Sequence, residues 1–178
     1  MTKEFPIIKT ERLLLRQFVD SDLVNVFHGL SHPEVIKYYG VSYKSLEAAK
    51  KQIKFFADLE RNERGIWWAV CSLDNKVFYG AGGLNSLSKE HKKAEVGFWL
   101  LCEYWNQGIM TEAMPLICNY GFDKLGLHRI EGFVETENKN CKKAMLKLNF
   151  QYEGTMHDCE IKNEQFISID IYAKIKVP

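Results

Sequence analysis

The stretch CEYWNQGIMTEAM, Cys102 to Met114, decides how this chain folds. An aromatic pair runs into a lone glycine, Gly108, and then directly into helical spacing. Ile109, Met110, Ala113, Leu116, Ile117 and Tyr120 recur every three or four residues, the rhythm of an amphipathic helix. Just upstream, AEVGFWLL (Ala94 to Leu101) is rich in the aromatic and branched residues that favour strands. Gly108 therefore falls at a strand-to-helix turn. The first amides of a helix have no partner inside it, so such a turn presents N–H groups to an anion.

Working outward, RLLLRQF (Arg12 to Phe18) reads as a first strand. DSDLVNVFHGL then carries a cap, Asp20 or Ser21, before a short helix. A longer helix follows in SLEAAKKQIKFFADLERN, where Leu46, Ala49, Ile53, Phe56 and Leu59 share one face. GIWWAVCSL and VFYGAGGLNSL are strands joined at Asp74 to Lys76, a hairpin signal. The Gly108 helix stops near Gly126. HRIEGFVET is then a strand, and NKNCKKAMLKL a helix burying Cys141, Ala144, Met145 and Leu148. FQYEGTM and EQFISIDIYAKI close the chain as an antiparallel pair. The sum is a single α/β (α+β) domain over residues 1–178, with three α/β/α layers. Its central sheet is mixed and mostly antiparallel, with a parallel strand–helix–strand unit from Val96 to Thr136.

Composition narrows the function. At 46% hydrophobic and 26% charged, the chain is ordinary for a globular protein. A net charge of +1 recommends neither nucleic acid nor an anionic membrane as the main partner. No apolar run approaches the ~18 residues of a membrane helix, and the N-terminus lacks a signal-peptide core. The five cysteines are scattered and never spaced as C-x-x-C, which points to a reduced, cytoplasmic setting. His157 to Cys159 brings two soft ligand types together without a second cluster, so no metal is expected.

Three phosphate chemistries compete for the Gly108 turn. A Walker A loop needs a lysine after its second glycine, and none follows here. A dinucleotide fingerprint needs three glycines, and only one is present. A pyrophosphate held by main-chain amides, as in coenzyme A, needs neither. On the residues alone, a glycine that merely eases a tight turn stands beside that reading.

Taken together, the motifs resemble the GNAT superfamily of N-acetyltransferases, in its RimJ/RimL-type, ribosomal-protein N-terminal acetyltransferase branch. TERLLLRQFVDSDL is similar to that branch's opening strand and helix, and AEVGFWLLCEYWNQGIMTEAM to its acidic strand, aromatic step and coenzyme loop. GLHRIEGFVETENKNCKKAMLKLNFQYEG resembles the next strand, the asparagine-led helix and the strand after it. The family loop Q/R-x-x-G-x-G/A is matched by Trp105, Asn106, Gln107, Gly108, Ile109 and Met110. Trp105 is usual in this branch, whereas Met110 replaces a small residue. The resemblance implies acetyl-CoA as co-substrate. Amides from Gln107 to Thr111 would hold its pyrophosphate, the Thr111 hydroxyl would assist, and its pantetheine would pair with the strand at Phe98 and Leu100.

The same resemblance assigns the chemistry. An amine must be neutral to attack, and a carboxylate can take its proton directly or through water. Glu95 matches the acid of E-x-G-Y/F; from the residues alone it is a glutamate on a half-exposed strand. Asn138 suits a helix cap by itself, and the resemblance adds a bond to pantetheine. Cys141 stands where the branch has serine, whose hydroxyl assists the departing thiolate; a thiol there either donates a proton or packs. Met145 occupies the position where many members place a tyrosine acid. Tyr152 reads as a core residue and Lys142 as a solvated one. Tyr38, Tyr39 and the GIWW tryptophans either line the acceptor side or belong to the core.

The expected activity is acetyl transfer to a primary amine, a protein N-terminal α-amine or a small amine, by direct attack in a ternary complex. The rivals are a coenzyme A sensor without turnover, an acetyltransferase of small-molecule amines or antibiotics, and transfer of a longer acyl group. A homodimer is what the family resemblance implies.

Overall fold

The Gly108 turn does join a strand to a helix, at the centre of an eight-stranded sheet. The computed structural model describes residues 4–177. In chain order its elements are β1 (Ile8–Lys9), β2 (Leu13–Arg16), α1 (Leu23–Ser31), α2 (Pro33–Ile36), α3 (Leu46–Arg61), β3 (Ile66–Ser72) and β4 (Phe78–Ser88). They continue as β5 (Lys93–Leu100), α4 (Ile109–Asp123), β6 (Arg129–Glu135), α5 (Lys139–Lys147), β7 (Gln151–Lys162) and β8 (Gln165–Ile175). The strands lie in the order β1-β2-β3-β4-β5-β6-β8-β7. β5 and β6 are parallel neighbours, joined through α4 as the strand–helix–strand reading requires, and the other neighbouring pairs are antiparallel.

Period-two alternation sorts the side chains into two cores. On one face, Trp68, Val70, Leu84, Ala94, Val96 and Ile130 meet Ile109, Ala113 and Met114 of α4 and Met145 of α5. On the other, Trp67, Ala69, Ala81 and Trp99 meet Val26 and Leu30 of α1 and Phe56 of α3. Because both faces are covered, β3 reads in sequence as a continuous apolar run. Both tryptophans of GIWW are thus core residues.

Several elements differ from their sequence reading. β7 runs twelve residues, far past FQYEGTM, and is an edge strand exposed along most of its length, so no burial pattern marks it. Leu46 is exposed because it opens α3; Gln52 is buried on that helix, its carbonyl oxygen accepting from the Tyr43 hydroxyl at 2.9 Å. Along α4, Met114 and Cys118 are buried, whereas Leu116 and Tyr120 are half-buried. Tyr152 is exposed rather than core, and its neighbour Tyr172 fills that place.

Candidate active site

At the turn, Gly108 adopts φ +75°, a left-handed conformation that a side chain resists, and it caps α4. The first intrahelical bond runs from the Glu112 N–H to the Gly108 carbonyl at 3.1 Å. The amides of Ile109, Met110 and Thr111 therefore have no partner within the helix. Ile109 and Met110 bury their side chains in the core, while Asn106, Gln107, Gly108 and Thr111 are exposed. The bulk of Met110 thus leaves the outer side of the turn unobstructed. Asn106 is also left-handed, at φ +61°. The Gln107 side chain is tied back, donating to the Glu103 carbonyl at 2.8 Å, so only its main chain is presented. Arg12, which the motifs did not single out, closes over the turn. Its guanidinium donates to the Gln107 carbonyl at 3.2 Å and pairs with Glu112.

The strand entering the turn has a free edge. β5 pairs with β6 only from Lys93↔Arg129 to Glu95↔Glu131, after which the two separate. The Leu101 N–H donates to the Tyr79 carbonyl of the antiparallel neighbour at 2.9 Å. By the alternation of that ladder, the main-chain groups of Phe98 and Leu100 face the opening instead. The Leu100 carbonyl accepts from the Trp105 indole N–H at 3.0 Å, which leaves its second lone pair and the Phe98 groups available.

Glu95 sits where the parallel pairing ends, and by alternation it faces the α1/α3 side. Beside it β4 bulges between Asn85 and Ser88, with Ser86 held at φ +49°. Burial raises the Glu95 carboxyl above its ordinary value; the nearby Glu131 adds to this, Ser86 opposes it, and Glu160 adds again. Glu95 is therefore a stronger base than a solvated glutamate.

α5 carries the second constellation, on the α4 side. Asn138 caps it, its side-chain oxygen accepting from the Cys141 N–H at 3.0 Å. Cys141 is half-buried against the core, and burial pushes its thiol up to about 11, so it stays protonated near neutrality. Met145 is 1% exposed, and its methyl lies over Gly132, where a Cβ would approach it to 2.2 Å. Lys142 is not simply solvated: it pairs at 2.6 Å with Asp170 of β8, a buried charge without a recognisable sequence signal. The Thr155 hydroxyl donates to the same carboxylate at 2.5 Å. Lys142, Asp170, Tyr152 and Tyr172 line a pocket of about 530 Å³ beside α5.

An amide-lined turn that follows an open strand edge suits an extended ligand ending in phosphates, with Glu95 on the α1/α3 side of the sheet and Cys141 on the α4 side. The chain matches the acetyltransferase (GNAT) domain over residues 12–151 and belongs to that family. It is an acetyltransferase. It is 36% identical over 173 residues to the uncharacterized N-acetyltransferase YoaA of Bacillus subtilis, covering 97% of this chain and 98% of that one. Its fold is shared with RimL, a ribosomal α-N-protein acetyltransferase solved with coenzyme A, at TM-score 0.85 and 18% identity over 96% of this chain and 98% of that one. It is also similar to the spermidine N-acetyltransferase of Vibrio cholerae solved with coenzyme A and spermine, at TM-score 0.81 and 17% identity over 93% and 96% of the two chains. Members of the family take their acetyl group from acetyl-CoA. No described helix is long and apolar enough to cross a membrane.

Proposed function

We propose that residues 1–178 form one cytoplasmic catalytic domain that transfers acetyl from acetyl-CoA to a primary amine, foremost a protein N-terminal α-amine. One observation carries this reading: the unpaired edge of β5 at Phe98 and Leu100 leads into the free amides at the start of α4. Together they form a continuous track of main-chain donors and acceptors, suited to an amide-bearing arm ending in phosphates. Gln107, Gly108, Ile109, Met110 and Thr111 hold the phosphate end, with Asn106 shaping the turn and Asn138 flanking the arm.

Bound acetyl-CoA supplies an activated acyl group and a thiol leaving group. Glu95 takes the proton that the attacking nitrogen must lose, a role its raised basicity favours. The Cys141 thiol, kept protonated by burial, offers a hydrogen bond to the departing sulfur, which takes its proton from solvent. An α-amine, with an ordinary pKa near 7.8, is roughly a quarter neutral near pH 7.4, so one carboxylate suffices. The buried Met110 side chain leaves the outer side of the turn open, so this departure from the loop pattern is no obstacle to coenzyme binding.

Calorimetry with acetyl-CoA tests the reading, comparing the parent with Gly108→Trp. Micromolar binding by the parent, lost in the variant, supports it and justifies an acceptor screen with N-terminal peptides and polyamines. A folded parent that binds no acetyl-CoA would sink it.

A further inference from the structure

We infer that Arg12 is a positioning residue for the coenzyme turn, acting through the Gln107 carbonyl on the Gly108 amide; this rests on the acetyl-CoA reading above. Both terminal nitrogens of Arg12 donate to that carbonyl at 3.2 Å, across 95 residues of sequence. A trans peptide points its C=O and the following N–H in opposite directions. Fixing the Gln107 oxygen toward Arg12 therefore turns the Gly108 N–H away from it, outward with the free amides of α4.

Arg12 is anchored both at its main chain and at its guanidinium. Its carbonyl accepts from the Leu73 N–H at 2.9 Å, and its N–H donates to the Thr10 hydroxyl at 3.2 Å. Its Nε donates to Glu112, which also accepts from the Thr10 hydroxyl. The arrangement has an electrostatic side. Glu112 lies one turn inside the helix that would face a pyrophosphate, and the Arg12 charge offsets an acid that would otherwise repel it. Only a planar fork can serve the carbonyl and the carboxylate at once; a lysine ammonium cannot hold both in this geometry. Glycine at 108 is called for by its φ of +75°, since a Cβ there would make only an ordinary contact, 3.4 Å, with the Arg12 fork.

Amide NMR during titration with coenzyme A, on the parent, Arg12→Ala and Arg12→Lys, tests this. In the parent, the Gly108 and Phe98 amides both shift on binding. Arg12→Ala should bind about tenfold more weakly, the worth of one misdirected charge-assisted hydrogen bond. Its Gly108 shift at saturation should shrink while its Phe98 shift persists, and Arg12→Lys should recover only part of the loss. If Arg12→Ala loses its dispersed spectrum, Arg12→Gln and Arg12→Lys carry the same comparison. Parent-like affinity and a parent-like Gly108 shift in the variants would overturn the inference. So would an equal loss at Phe98 and Gly108, which marks a merely structural role. A parent in which neither amide responds defeats the acetyl-CoA reading itself, and the inference with it.

Discussion

Lys142, the residue after Cys141, meets Asp170 of β8 at 2.6 Å, and that carboxylate is only 2% exposed. The pair anchors the first turn of α5 to the sheet. Asp170→Asn should cost about 1–3 kcal/mol, less than a fully buried pair because Lys142 is partly solvated. Its pH dependence has a definite sign. Burial alone pushes the Asp170 carboxyl up, but bonds from Lys142 and Thr155 and the Lys142 charge outweigh it and hold the group below its ordinary range. The stabilisation is therefore present above the unfolded pKa near 3.9 and is lost as pH falls through the folded value. Urea unfolding at pH 7 should separate parent and variant, and at pH 3 the gap should narrow.

Glu95→Gln should lower kcat/KM by about 10²–10⁴, with part of the activity returning at alkaline pH, where the amine is neutral without help. Stability should move the other way. A carboxyl raised by burial and by Glu131 contributes stability that is full below about pH 4.3 and lost as pH rises through its folded value. The glutamine variant should thus melt above the parent at pH 7.5, with the difference vanishing near pH 4. Parallel thermal melts at the two pH values decide this.

Cys141→Ala should reduce kcat about tenfold to a hundredfold while leaving the KM for acetyl-CoA near the parent value, and Cys141→Ser should restore most of the loss. Labelling gives a separate check. With its thiol near 11, Cys141 should react with iodoacetamide at pH 8 far more slowly than the exposed Cys159. Mass-resolved labelling rates would show a reactive Cys141 at once.

Met145→Ala should destabilise the protein by about 2–5 kcal/mol, because this 1%-exposed side chain fills the space between α5 and Gly132. A parallel fall in kcat is expected, since α5 also carries Asn138 and Cys141. Chemical denaturation and steady-state rates on one preparation would test both effects.

What was legible in the sequence were features with short range or regular period. The Gly108 turn announces itself because one glycine separates strand-like from helix-like spacing, and the Asn138 cap because its partner is three residues away. Burial of the Met110 side chain follows from the same helical rhythm. Arg12 was invisible because its contacts lie 95 and 100 residues away, and Asp170 because its partner sits on a helix 28 residues back. Tyr152 misled for another reason: an aromatic in a strand implies a core only if that face is covered, and β7 lies at the sheet's edge. β1, at two residues, is too short for any periodicity.

The early end of the β5–β6 ladder also makes a dynamic asymmetry. Along one strand, Leu101 donates to its neighbour while Phe98 and Leu100 face an opening. In the free protein, solvent deuterium should therefore enter β5 beyond its pairing with β6 at alternate amides, with Phe98 exchanging ahead of Trp99 and Leu101. A molecule seated in that opening takes the place of a missing strand, and by binding only the folded state it raises the melting temperature with its concentration. The split is thus a place where occupancy and the cohesion of the sheet's two halves become one measurable quantity.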